Sequence, residues 1–227
     1  MFTHRYDRNQ PLISSKKQSE LREVAVAIVG LGGLGGHVAE LCTRLGIGRL
    51  ILIDGDAFEE TNLNRQRFAT ESRIGKAKVF SAKADIESIN SETIVEAHQV
   101  WLKDEADIDF FLDADFIIDC LDNVDTRILL GDFSVQLKIP LIHGSLSGWE
   151  GQYGLFLPDK NYMEQLYAHV TKGKAAVTAN LPTLPPIVAS MQINLLLAYL
   201  LNDSHLHPNT LFRFNVQTHE LTKIGFS

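Results

Sequence analysis

Cysteine is nearly absent. Cys42 and Cys120 are the only two among 227 residues, and they form no C-x-x-C pair. That excludes a disulfide framework and a sulfur-rich tetrahedral metal site. His205 and His207 add two imidazoles, too few for a zinc site, so no zinc is expected. Cys42 falls on an apolar helix face and Cys120 at a strand end. Both read as small core residues rather than nucleophiles. Basic charge is also short. Against 28 Asp and Glu stand 21 Lys and Arg, a formal net charge of −7. No nucleic-acid partner is expected from such a balance. No run reaches transmembrane length, since the most apolar stretch, 187–201, is interrupted by Ser190, Gln192 and Asn194. There are no internal repeats and no low-complexity segment. Residues 1–10 are polar and charged rather than leader-like, and the expectation is a cytoplasmic protein without a membrane.

What is present centres on residues 26–67. An apolar, β-branched run over 24–29 predicts a buried strand. Gly30, Gly32 and Gly35 follow in G-x-G-x-x-G spacing. Val38, Leu41, Cys42 and Leu45 then recur at helical steps, closed by Gly46 and Gly48. A second apolar strand over 50–53 ends on Asp54. This is a βαβ unit with a nucleotide fingerprint. Gly30 permits the tight turn, Gly32 clears a side chain from the phosphate, and Gly35 lets helix pack on sheet. The helix N-terminus favours an anion. Asp54 is placed to accept hydrogen bonds from ribose hydroxyls.

The next residues separate nucleotide chemistries. Asp54, Asp56, Asn62, Asn64, Arg65, Gln66, Lys76 and Lys78 crowd one short connection. Arg65 offers a bidentate fork and Lys78 a point charge. Two such phosphate ligands beside a dinucleotide-type loop suit a triphosphate better than a nicotinamide dinucleotide.

These motifs resemble the ThiF/MoeB/HesA group, relatives of the ubiquitin-activating enzymes. The chain carries GLGGLG over 30–35, DGD over 54–56, TNLNRQ over 61–66, GKAKV over 75–79 and DCLDN over 119–123. RYDRN over 5–9 and GWEGQ over 148–152 extend the likeness to nearly the whole chain. Thr61 stands where the group usually has Ser, and the four-cysteine zinc site of many members cannot form. The resemblance implies an ATP site built from Gly30, Gly32, Gly33, Gly35, Asp54, Asp56, Asn62, Gln66 and Asn123. It implies Arg65, Lys78 and Asp122 as catalytic residues, with Asp122 holding Mg²⁺. It also implies that Arg8 reaches the ATP site of a second subunit, in a homodimer.

Read in order, the chain alternates strand and helix up to residue 143. Helices are expected over 15–23 (capped by Ser14 or Ser15), 76–90, 105–112 and 126–137, and strands over 94–98, 116–120 and 140–143. Antiparallel strands are expected over 148–157, 210–215 and 220–224. Residues 160–186 show little periodicity and read as a long connection crossing the sheet, followed by a last helix over 185–201. The fold class is α/β, a Rossmann-like, doubly wound, mostly parallel sheet continued by antiparallel strands. One domain is expected over 1–227: an arm and helix over 1–24, a nucleotide-binding half over 25–143, and the remainder over 144–227.

Strand ends of an open α/β sheet share one crevice, so 30–35, 54–56 and 119–123 should converge. Arg65 and Lys78 would offset charge as pyrophosphate leaves. Asp122 either binds the metal or caps the following helix, and the metal is preferred. The reaction implied by the resemblance is adenylylation of the C-terminal glycine carboxylate of a small ubiquitin-like sulfur carrier ending in Gly-Gly. Gly144, Gly148 and Gly151 would let that tail approach. Two alternatives stay open: a threonylcarbamoyl-adenosine dehydratase-like enzyme, and a non-catalytic nucleotide-binding scaffold. The arm carries too little apolar surface for a core element and would gain order from a partner subunit.

Overall fold

The computed structural model describes residues 4–170 and 179–226. Part of the 160–186 connection, residues 171–178, therefore lies outside the described residues, as does the start of the arm.

Among the described residues, eight strands form one sheet: β1 (Ala25–Val29), β2 (Arg49–Ile53), β3 (Ile94–His98), β4 (Phe116–Asp119), β5 (Leu141–Ser147), β6 (Glu150–Phe156), β7 (Thr210–Asn215) and β8 (Glu220–Gly225). Their spatial order is β3-β2-β1-β4-β5-β6-β7-β8. The first five pair in parallel and β5 through β8 in antiparallel fashion. The change of sense falls at the β5–β6 hairpin, whose turn residue Gly148 has φ +60°. β5 runs on to Ser147, beyond the expected end at 143, because the hairpin extends it.

The helices are α1 (Ser15–Glu20), α2 (Gly33–Leu45), α3 (Lys78–Ile89), α4 (Val124–Leu137), α5 (Tyr162–Tyr167) and α6 (Leu184–Leu200). Ser14 caps α1 by accepting the Lys17 N–H. Gly46 ends α2 at φ +88°, a conformation that suits glycine. The segment expected as a helix over 105–112 is a 3₁₀ helix over Glu105–Phe111. α5 lies inside the stretch whose periodicity was too short to reveal a helix. Asn161 starts it, its side chain accepting the N–H groups of Met163 and Glu164.

Alternation along β1 shows how the layers are filled. Val26 and Ile28 enter one core with residues of α2, α3 and α6. Ala27 and Val29 enter the opposite core with residues of α4 and α5. All five residues of β1 are buried, as expected for a strand covered on both faces. Helices therefore cover both sides. β1 lies between β2 and β4, so the chain reverses direction across the sheet there. The carboxyl ends of β1 and β4 flank that switch point, where open α/β sheets bind ligands.

Candidate nucleotide site

A cleft of about 1020 Å³ opens at the switch point. Gly30, Gly32, Gly33, Asp54, Asp56, Asn62, Arg65, Gln66, Lys78, Asp122 and Asn123 all line it. Gly30 has φ +89°, and a Cβ there would stand 2.7 Å from the Cys120 carbonyl oxygen. The turns after β1 and β4 thus touch, and only glycine fits. A Cβ on Gly35 would meet the Gly30 carbonyl oxygen at 1.7 Å, so Gly35 tightens the loop from behind. Gly32 is different. A Cβ there would meet only the Gln66 amide nitrogen, at 3.7 Å, so its bare backbone faces the open cleft.

Asp54 braces the glycine loop. Its carboxylate accepts the Leu31 N–H at 2.5 Å and the Asp56 N–H at 2.7 Å. Burial lifts its pKa above the ordinary value despite the nearby Lys78 ammonium and these two bonds. Lys78 opens α3 and is 5% exposed, and its Nζ donates to Asp56 at 2.9 Å. Arg65 donates to the Thr61 carbonyl at 2.8 Å and the Asn64 side chain at 3.0 Å, and its stem packs over Gly33. Asn62 caps the short 3₁₀ turn Glu60–Asn62 by accepting the Glu59 N–H. Gln66 is buried, and its side-chain oxygen has no partner among the described residues. A buried acceptor facing a cleft is costly unless a ligand satisfies it.

After β4, Asn123 rather than Asp122 caps α4, accepting the Thr126 N–H at 3.1 Å. Asp122 is exposed at the cleft wall. Behind this turn lies a buried polar cluster that motif reading did not assemble. Asp119 and His143 are fully buried, with Asp119 Oδ2 and His143 Nδ1 at 2.6 Å. Arg127 donates to Tyr167 Oη at 2.7 Å and also to the Leu121 carbonyl, and its Nε is 3.4 Å from Asp119. His143 Nε2 lies 3.2 Å from Tyr167 Oη and 3.1 Å from the Gln152 amide. Burial would raise the Asp119 carboxyl, but Arg127 and the bond from His143 outweigh it and hold it below its ordinary value. Burial pushes His143 the other way, to a neutral ring. It also lifts Tyr167 to about 12. The cluster is then balanced: one carboxylate, one guanidinium and a neutral imidazole donating through Nδ1. Arg127 sits four residues after Asn123, one helical turn into α4. That spacing was the one available sequence signal, whereas Asp119, His143 and Tyr167 lie on three separate elements.

Trp101, Ser145, Leu146 and Asn180 also line the cleft and were not foreseen. Two of the glycines expected to admit a tail are filled instead. A Cβ on Gly144 would strike the Gln192 side chain at 2.4 Å, and one on Gly151 the Phe214 ring at 2.5 Å. Among the described residues, nothing lies within 4 Å of a Cβ on Gly148. Both cysteines are buried, and burial pushes the Cys42 thiol up to about 12.

Arg8 does not line the cleft of its own chain. It is exposed on the 3₁₀ turn Asp7–Asn9. The arm is nonetheless anchored: Tyr6 fills the space above Gly46 and accepts a bond from Asn90 at 3.1 Å. Residues of the arm thus contact their own chain. No group of three or more His, Cys, Asp or Glu side chains suited to a metal occurs among the described residues. None of the described helices is long and apolar enough to cross a membrane.

The ThiF family model matches residues 6–225. The adenylyltransferase and sulfurtransferase MOCS3 of Anopheles gambiae is 38% identical over 154 residues, 67% of this chain and 35% of that protein. The adenylyltransferase and sulfurtransferase uba4 of Aspergillus niger is 41% identical over 150 residues, 65% of this chain and 31% of that protein. The chain thus spans about a third of the length of these curated relatives. Among solved structures, E. coli MccB with ATP superposes with a TM-score of 0.83 at 23% identity, covering 98% of this chain and 71% of that one. At that identity the likeness speaks for the fold.

Proposed function

The chain belongs to the ThiF family, and from that premise we propose that it is an adenylyltransferase that activates the C-terminal carboxylate of a small ubiquitin-like sulfur carrier. A carboxylate oxygen attacks the α-phosphorus of ATP, the bond to the β-phosphate oxygen breaks, and pyrophosphate leaves. The carboxylate is already a nucleophile, so no general base is required. Catalysis rests on position and charge.

One observation carries the reading. The bare glycine loop, Arg65, Lys78, the unpartnered Gln66 oxygen and exposed Asp122 meet in a single cleft at the switch point. In this proposal the phosphates lie along Gly30, Gly32 and Gly33, with Gln66 taking an N–H or hydroxyl from the nucleotide. Asn62 and Asp56 border the ribose and phosphate, and Asp54 keeps the loop in shape. Lys78 exchanges its Asp56 partner for phosphate, and Arg65 turns its fork from the Thr61 carbonyl toward the leaving group. Asp122 fits a magnesium ion, which takes one or two carboxylates together with phosphate oxygens. When bound, the ion would offset phosphate charge. Asn123 fixes the turn that presents Asp122.

Arg8 would act in trans in a homodimer, because the cleft of its own chain lacks it. The relatives' names support adenylyl transfer. The test is incubation with candidate carriers, ATP and Mg²⁺. A carrier mass increased by one adenylyl group, with pyrophosphate released, is the expected result. Tight NAD binding with no ATP binding would sink the reading.

A further inference from the structure

Asp122 is exposed at the cleft wall, so the chain on either side of it decides where its carboxylate stands. After it, Asn123 caps α4. Before it, Leu121 is held by both of its main-chain groups. The Leu121 N–H donates to Asp119 Oδ1 at 2.9 Å, and the Leu121 carbonyl accepts from an Arg127 Nη. Those two side chains face each other, with Arg127 Nε 3.4 Å from Asp119 Oδ2. One buried ion pair therefore grips the residue before Asp122 at both ends.

The grip is itself anchored. The Asp119 carbonyl accepts from the Gln192 amide at 3.0 Å, and the Cys120 N–H donates to the Val29 carbonyl at 2.9 Å. The other Nη of Arg127 donates to Tyr167 Oη at 2.7 Å. The Cys120 carbonyl abuts Gly30 of the glycine loop. The turn that carries Asp122 is thus fixed against that loop on one side and against α5 on the other. Net stability is a weak reason for such an arrangement, because a buried ion pair gains little over apolar side chains of similar volume. A charge pair alone would also have no need of the Leu121 carbonyl. A fixed turn is the better reason, since arginine presents its donors in a rigid fork that binds a carbonyl and a hydroxyl at once.

We propose that Asp119 and Arg127 are positioning residues: the pair clamps the 120–122 turn so that Asp122 meets the divalent cation that accompanies the nucleotide. The inference rests on the metal role given to Asp122 above and names the residues that set it. Both act through the main chain of Leu121, not by holding the ion. A small cation such as magnesium demands near-ideal placement of its oxygen ligands. Slack in the turn should therefore cost metal affinity before it costs nucleotide affinity.

Calorimetry of the full chain with a non-hydrolysable ATP analogue, in excess Mg²⁺ and again in EDTA, gives the factor by which the metal tightens the nucleotide. Arg127→Lys keeps a charge beside Asp119 but has no fork to reach Leu121 and Tyr167 together. The factor should fall about three- to tenfold, the worth of one hydrogen bond, while the affinity in EDTA stays within about twofold of the unsubstituted chain. Asp122→Asn should bring the factor close to one, and adding Arg127→Lys to it should change nothing further, as expected of residues that act in series. Tyr167→Phe removes one anchor of Arg127 without touching its charge. It should lower the factor by a smaller amount, and it serves as the test if the lysine variant does not fold. A factor unchanged in the folded variants, or equal losses with and without metal, would overturn the clamp and leave the function untouched. A factor near one in the unsubstituted chain, or one unchanged in Asp122→Asn, would remove the metal role of Asp122 and the clamp with it. Pyrophosphate release with a candidate carrier reports separately on adenylyl transfer.

Discussion

Replacing Arg127 by methionine tests whether the buried cluster behind the cleft is balanced by one guanidinium. Methionine has similar length and no charge. The change removes the 2.7 Å bond to Tyr167, the bond to the Leu121 carbonyl and the partner 3.4 Å from Asp119. Asp119 is fully buried and would keep only His143 and the Leu121 N–H. Breaking a buried pair from one side costs about 3–5 kcal/mol, out of roughly 5–15 kcal/mol for an ordinary domain. The loss should depend on pH. Arg127 helps to hold His143 low, so in the variant the His143 pKa rises and the ring can take a proton in Arg127's place. A pKa raised in the folded state adds stability below it, so the penalty should shrink on acidification. Urea unfolding at pH 8 and pH 6 measures both effects. Adding Asp119→Asn should return much of the loss, since the stranded charge is then gone. A penalty under about 1 kcal/mol at both pH values would refute the charge assignment, because a buried carboxylate cannot lose its cation so cheaply.

Three further outcomes are expected. In the unsubstituted chain His143 is held below its ordinary value of 6.5. Its stabilising contribution is therefore complete above that value and is lost as pH falls toward the folded pKa, and His143→Gln should flatten this part of the urea-stability profile. Lys78→Ala should weaken ATP binding by about tenfold or more, the loss of one charge-assisted contact. Calorimetry checks this, and a melting temperature within a few degrees shows that the fold survives. Arg8→Ala should weaken adenylylation while leaving the protein folded, because Arg8 is exposed. Mixing it with Lys78→Ala should restore about a quarter to a half of the activity if a two-fold dimer shares its sites. No recovery after verified subunit exchange would place Arg8 in its own subunit's chemistry or in none.

The βαβ unit was legible because its signals are local. A β-branched run, three spaced glycines and a helical stripe lie within about twenty residues, and each reports a short-range constraint. The same locality explains why the polar face of the cleft, Asp54 through Lys78, was found as one group. Asp122 and Asn123 were found together, but their division of labour was not. Both can cap a helix, and only the φ/ψ of the turn selects Asn123. α5 was missed because six residues are under two turns, too few for a periodic stripe.

The sequence by itself determined the βαβ unit, the parallel-then-antiparallel order of the strands and the motif set that points to nucleotide chemistry. Each of these follows from spacing along the chain. Only the tertiary structure decided that Asp119, His143, Arg127 and Tyr167 neutralise one another, because a buried charge is settled by neighbours from β4, β5, α4 and α5 at once. It alone decided that Gly144 and Gly151 are filled by Gln192 and Phe214 rather than left open. A glycine in a sequence marks a missing side chain, and what takes its place comes from another element.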